Sequence, residues 1–424
     1  MHKAHKLHSV PKISYIDKMR RFFLGETELS KDLKLLLLIG GLFALSVALS
    51  NYFVNIHFWK QKSEYMTIAL YNLSIVVAQP LIFILAGRWA KQVDRVIVLR
   101  LGVFFLSVFY LVVLLLGSLS SQFAALLGLL LGVGFGFYWL AFNVLIFEIT
   151  EPDTRDIFNG FFGLLNSLAG MVGPFFAGWL ITKMASTTGY KVIFSISLGL
   201  FVMAVVLSFF IRRRSAEGRF QLNPVLRWNA LSSNWKGILL GNVGQGLREG
   251  SFAFLITVWI FVATGSEMAL GTFSLVTSGI SVIFYYLSGR LIAPKYRKRL
   301  MLAAALFLSL SVWIIAFDLT YAKLMTYGVV VSIFFPILMV PFLSMSYDVI
   351  GSEKKAAEWR IEYVVARELY LNAGRIISIL FFMAVVLLFE AEQALPYYII
   401  IFGNTQLLLY FWTRRVQLNE DNSF

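Results

Sequence analysis

Twelve apolar runs of roughly 18 to 26 residues, each long enough to cross about 30 Å of hydrocarbon as a helix, constrain this chain more than any other feature. They lie near 34–58, 66–87, 96–117, 122–147, 158–182, 190–211, 237–262, 268–288, 300–317, 323–347, 366–389 and 395–413. With 59% of its 424 residues hydrophobic and 14% charged, the chain has too little polar surface to wrap a water-soluble core of this size. In hydrocarbon a backbone must satisfy its own hydrogen bonds, and continuous apolar runs do so as helices. The expected fold class is therefore an all-α membrane protein with twelve transmembrane helices.

The chain is also written twice. Ala141-Phe142 and Phe147-Glu148-Ile149 return as Pro341-Phe342 and Tyr347-Asp348-Val349, an offset of about 200 residues. Nearly the same offset carries Gly87-Arg88 and Arg95 onto Gly289-Arg290 and Arg297. Six runs fall to each half, which gives an N-terminal segment 1–33, a six-helix bundle 34–211, a basic linker 212–236, a second bundle 237–413 and a tail 414–424. Two similar bundles can rock about a site held between them, so a doubled membrane protein is expected to be a transporter.

Charge orients it. With both termini cytoplasmic, 31 of the 37 Lys and Arg fall on the cytoplasmic side, Lys60, Lys62, Lys183, Lys191 and Lys323 on the other, and Arg248 alone mid-span. This distribution places a multi-pass protein in the cell membrane and opposes its cations to an anionic leaflet, so the net charge of +14 requires no nucleic acid. Residues 15–30 read as an amphipathic segment lying on the inner surface, and His2, His5 and His8 as a solvated tail. No cleavable signal peptide is evident in the first thirty residues. There is no cysteine, no phosphate-binding P-loop, no nucleophile-His-acid set and no metal-ligand cluster. An enzyme, a cofactor and a metal are not expected.

After the second run stands Gly87-Arg88-Trp89-Ala90-Lys91-Gln92-Val93-Asp94-Arg95, and after the eighth Gly289-Arg290-Leu291-Ile292-Ala293-Pro294-Lys295-Tyr296-Arg297. Both read as tight turns in which glycine ends the helix and cations meet its negative end. Here the chain resembles the major facilitator superfamily, whose motif G-x-L-A-D-R-x-G-R-R occupies these two loops, and the resemblance covers nearly the whole sequence. Lys91 and Ala293 stand where that family has Asp, and Asp94 and Tyr296 where it has its second Gly, so a charge lock here must be wired differently. The resemblance implies two pseudo-symmetric six-helix bundles, alternating access, and a cavity lined by helices 1, 4, 7 and 10. Gly160, Ala169, Gly173-Pro174 and Ala177-Gly178 on the fifth run are similar to the antiporter motif of drug-exporter-like members, a slight lean towards efflux. Small residues there serve ordinary close packing as well.

Charged residues supply the candidate site. Arg248 and Glu249 lie about 18 Å along the seventh run, at roughly 1.5 Å per residue, near the bilayer centre, where a charge costs roughly 2.5 to 3.5 kcal/mol. Adjacent helical residues point about 100° apart, so the two are expected to have different partners. Glu249 suits a coupling proton and Arg248 an anionic substrate group; the alternative is a structural buried ion pair bridging helices, with Arg248 or Glu249 bonded to Arg375 or to an acidic neighbour. Gln245, Asn51, Tyr138, Trp139 and Arg375 complete the expected substrate and coupling site, and Gly241, Gly244, Gly246 and Gly250 are expected to let helix 7 bend or admit substrate. At the inner gate, Glu148 is expected to pair with Arg95 or Arg155, and Asp348 with Arg297 or Arg367, alongside Arg88 and Arg290. The expected partners are a small, amphiphilic substrate, a proton and the lipid bilayer. Two alternatives are a lipid flippase of the same fold, needing a laterally open cavity, and a non-transporting sensor or scaffold.

Overall fold

The computed structural model describes residues 30–149, 152–184, 186–213, 218–292, 294–353 and 355–417. The amphipathic segment, the three tail histidines and most of the C-terminal tail lie outside them, as do the side chain of Arg155 and the surroundings of Gly160. Among the described residues there are helices and turns but no strand ladder.

Twelve long helices span the molecule: α1 Lys31–Lys62, α2 Tyr65–Gln92, α3 Arg95–Leu116, α4 Ala124–Ile149, α5 Pro152–Lys183, α6 Ser186–Ser208, α7 Ser233–Thr264, α8 Glu267–Leu291, α9 Arg297–Ser311, α10 Tyr321–Ser352, α11 Arg360–Leu388, and α12 Ala391–Gly403, which resumes as Thr405–Thr413. Among the described residues, eleven stretches are long and apolar enough to cross a membrane, and one of them, Arg95–Ile146, contains two helices divided by the 3-10 turn Gly117–Phe123.

The doubling is structural down to the caps. α1 and α7 each have 32 residues. Each opens on a serine, Ser30 or Ser232, whose Oγ accepts a hydrogen bond from the backbone N–H of Leu33 or Trp235. Each closes on a left-handed residue, Ser63 at φ 53° or Gly265 at φ 63°. Within the N-terminal half α1 packs on α5 and α6, α2 on α4, and α3 on α4 and α6. The C-terminal half repeats this list with six added to each number, and the halves meet along α2 with α11 and α5 with α8. That crosswise seam is what a twofold relation between two bundles produces.

Apolar burial holds each bundle together. The Phe43 ring stacks on Tyr138 at 3.7 Å between centroids, and Phe142 and Phe201 close around them. Outward side chains such as Leu115, Leu387 and Leu388 stay bare of protein, the lipid-facing surface of such a bundle.

One expectation about the loops is corrected. Gly87 and Gly289 do not end their helices: α2 runs on to Gln92 and α8 to Leu291, and neither glycine has a left-handed backbone. Gly87 is instead a point of close approach, where a Cβ would meet the Phe220 ring at 2.8 Å.

Candidate functional site

The glycines of α7 fix the geometry of the site. An added Cβ at Gly246 would collide with the Leu371 carbonyl of α11, one at Gly250 would come 2.6 Å from the Arg375 carbonyl, and one at Gly374 would strike the Val243 carbonyl. These glycines let two backbones touch, and α7 is a continuous helix from Ser233 to Thr264. The contact brings Arg375 beside Glu249, and its guanidinium donates to Glu249 Oε2 at 2.7 Å. Gln245, one turn earlier, donates to the other carboxylate oxygen at 2.7 Å. Arg248 takes the other direction: it donates to the Tyr327 hydroxyl of α10 at 2.9 Å and lies over the rings of Phe252 and Phe335.

Arg248, Glu249 and Arg375 line a cavity of about 600 Å³ between the halves. Asn51 faces it from α1, and Ser274, Thr277, Ser278 and Ser281 place hydroxyls along it from α8. Two residues that sequence reasoning missed, Asn72 and Gln79, face it from α2. They are seven residues apart in an apolar run, two helical turns on one face, and that spacing was the signal. Asn72 also donates to Asn55 Oδ1 at 2.8 Å, tying α2 to α1.

Tyr138 and Trp139 are corrected. Tyr138 is fully buried inside the N-terminal bundle, where α3 presses on its backbone at Gly102, and Trp139 sets its edge against Phe43 and Phe142. Neither lines the cavity. Phe135, one turn from Trp139, does. Arg375, counted among the cations of the basic loops, lies mid-helix with Glu249.

At the end of the molecule carrying the basic loops, Arg95 pairs with Glu148 at 2.7 Å and Arg297 with Asp348 at 3.0 Å. These pairs join α3 to α4 and α9 to α10, so each lies inside one half and does not itself bridge the gate. Arg367 turns away from Asp348 to the Tyr347 ring and a long 3.9 Å contact with Glu368. Arg88 and Arg290 are exposed, and Arg290 donates to Tyr286.

The bridge between halves lies elsewhere. Lys91 of α2 donates to Glu362 Oε1 of α11 at 2.6 Å and to the Glu358 carbonyl at 2.9 Å. Glu362 is fully buried in the first turn of α11, where the helix's positive end favours a carboxylate. The linker closes over the pair, with the backbone N–H of Gln221 donating to Glu362 at 2.9 Å. Asp94 caps α3, accepting from the backbone N–H of Val96 at 2.7 Å. The two departures in the first loop, Lys91 and Asp94, thus have defined partners.

A second bridge closes the opposite end. Lys60 of α1 donates to Glu267 of α8 at 2.7 Å, and the Tyr190 hydroxyl donates to the same oxygen at 3.1 Å. His57 faces the Tyr190 and Phe194 rings and bonds with Gln61 at 2.8 Å.

The family model of the Major Facilitator Superfamily matches residues 34–359. YqgE of Bacillus subtilis (strain 168), an uncharacterized protein, is 50% identical over 397 residues, covering 94% of this chain and 92% of that protein. An uncharacterized protein in the sodM 3' region of Geobacillus stearothermophilus is 59% identical over 170 residues, 40% of this chain and 79% of that one. Among solved structures, the human organic anion transporter MFSD10 (TETRAN) superposes with a TM-score of 0.66 at 15% identity, over 91% of this chain and all of that one. The E. coli fucose:proton symporter FucP gives 0.60 at 13% identity, over 91% and 98%. These two likenesses concern the fold. Doubled bundles, crosswise seam and family match agree, and the chain belongs to the Major Facilitator Superfamily.

Proposed function

We propose that this protein is a proton-coupled secondary transporter carrying a small, amphiphilic molecule across the cell membrane by alternating access, with its basic end and both termini facing the cytoplasm. One observation carries the reading: a charged cavity between two pseudo-symmetric halves, with an ion pair bridging those halves at either end. Opening Lys91–Glu362 while Lys60–Glu267 stays closed would expose the cavity to one side, and the reverse exchange to the other. The orientation rests on the distribution of Lys and Arg.

Glu249 is the coupling site in this reading. Protonation removes its charge and releases Arg375, a local change that can bias a two-state element. The small residues of α5 are engaged in packing, which is compatible with either direction of transport. A Cβ at Gly173 would meet Ala48 at 2.8 Å, and one at Gly178 the Glu267 carbonyl at 2.5 Å. The tight α5–α8 seam also favours an aqueous route over lateral entry of a lipid.

The chain contains no cysteine, so single reporters can be introduced cleanly. Cysteines at Thr257 in the cavity and Asn143 at the basic end should show reciprocal labelling in vesicles, shifting with pH. Glu249→Gln should abolish the pH-dependent shift; a variant that keeps it in full would dismiss Glu249 as the proton carrier.

A further inference from the structure

The charge of the cavity is unbalanced in one specific way. Among its lining residues only Arg248, Glu249 and Arg375 are charged, two cations and one anion. Arg375 and Glu249 compensate each other. Arg248 does not share in that pair. It is 5% exposed, has the neutral Tyr327 hydroxyl and two ring faces as neighbours, and its Nε has no hydrogen-bond partner among the described residues. Rings soften the cost of such a cation and leave its charge in place. A carboxylate or sulfonate brought by a ligand would neutralise it and match its planar fork. The rest of the wall suits an uncharged body: Phe252, Phe273 and Phe335 offer apolar faces, and Asn51, Asn72 and Gln79 offer amides.

We propose that the substrate is a small organic monoanion whose charged group binds Arg248, and that it travels in the same direction as one proton carried by Glu249. This rests on the transporter reading. Glu249 is faced by Gln245 on its own helix, by Arg375 from α11 and, within electrostatic reach, by Tyr285 from α8. Glu368 acts on Arg375 from the same helix, Tyr327 of α10 is engaged with Arg248, and Asn51, Tyr52, Asn72 and Gln79 from α1 and α2 bring no charge at neutral pH. An anion on Arg248 cancels that cation's own contribution to the potential at the neighbouring carboxylate, so anion and proton favour each other's binding by linkage. The cavity with neither ligand and the cavity with both carry the same surplus of one positive charge. Either can therefore reorient across the membrane without changing its charge. An inward proton gradient drives uptake in this scheme.

The experiment is thermal stabilisation of the purified full-length chain by matched probes: benzoate, benzamide and benzylamine, the corresponding naphthalene set, and p-toluenesulfonate, which stays ionised throughout. The anions should stabilise and the neutral and cationic members should not. Stabilisation by p-toluenesulfonate should be stronger at mildly acidic than at mildly alkaline pH, with apparent affinity changing roughly tenfold. Arg248→Gln should abolish it, and Glu249→Gln should retain it without pH dependence. Should Arg248→Gln fail to fold, Arg248→Lys should fold and bind the anions more weakly. Stabilisation by neutral or cationic probes, by none of the anions, or undiminished in the Arg248 variants would overturn the proposal. Reciprocal labelling at Thr257 and Asn143 separates the two readings. If it persists while the anions fail, the substrate class is wrong and the transporter stands; if it is absent, the transporter reading falls.

Discussion

At the scale of single residues, the informative contacts are the buried charges that cross between helices. Lys91 and Glu362 illustrate how much one pair can decide. Removing one partner of a buried pair costs on the order of 3 kcal/mol or more, because the survivor stays desolvated and unmatched. Lys91→Met should therefore shift the facing equilibrium by roughly a hundredfold towards opening at the basic end, read as increased labelling of a cysteine at Asn143. Combining Lys91→Glu with Glu362→Lys should recover much of the closed population. A double variant no better closed than Lys91→Met would show that the ion pair does not hold this end.

The same pair measures what was legible in the sequence. Mid-membrane Arg248 and Glu249 stood out because charge is rare in apolar runs, and their divergent partners followed from helical angles. Lys91 drew attention only as a departure from a motif. Its partner is some 270 positions away, and no local pattern reports such a distance. Tyr138 and Trp139 were misjudged for a different reason: a polar aromatic on a lining helix can face the cavity or the bundle interior, and only the tight α3–α4 contact at Gly102 decides.

At the scale of elements, the contact between α7 and α11 places the cavity charges. Gly246 and Gly250 lie one turn apart, and Gly374 enters from the other side, so the backbones approach as closely as helices can. Gly246→Ala should destabilise the protein by about 1–3 kcal/mol, visible as a lower unfolding temperature, and should lengthen the reach from Arg375 to Glu249. Gly289→Ala, where the added methyl meets nothing within 4 Å beyond its own helix backbone, should leave stability nearly unchanged. Equal losses at both positions would refute the packing argument. The helices themselves were readable from apolar runs, and their ends extend beyond those runs because caps and interfacial polar turns continue the helix past the hydrocarbon.

At the scale of the whole molecule, the halves touch along α2 with α11 and α5 with α8, and an ion pair spans the halves at each end of the cavity. If the halves rock as proposed, they must break these pairs in alternation. Cysteines replacing Lys60 and Glu267, cross-linked by a short reagent, should arrest reciprocal labelling while leaving the unfolding temperature undiminished. Cysteines replacing Lys91 and Glu362 should do the same with the opposite side exposed. If cross-linked protein still exchanged facings, rigid-body rocking would be ruled out. The doubling of the sequence foretold two bundles, but not the seam, which depends on which faces of each bundle meet.

The linker between the bundles is more than a tether. Its Gln221 backbone N–H is bonded to Glu362, its Phe220 ring packs on Gly87, and its Val225 carbonyl receives the indole N–H of Trp235 on α7. In the proposed transport cycle, a strap anchored on both halves would act as a spring whose slack sets the resting position. Lengthening it should change how long the protein dwells in each facing without altering a single residue of the cavity, so turnover rate and substrate preference can be tuned independently.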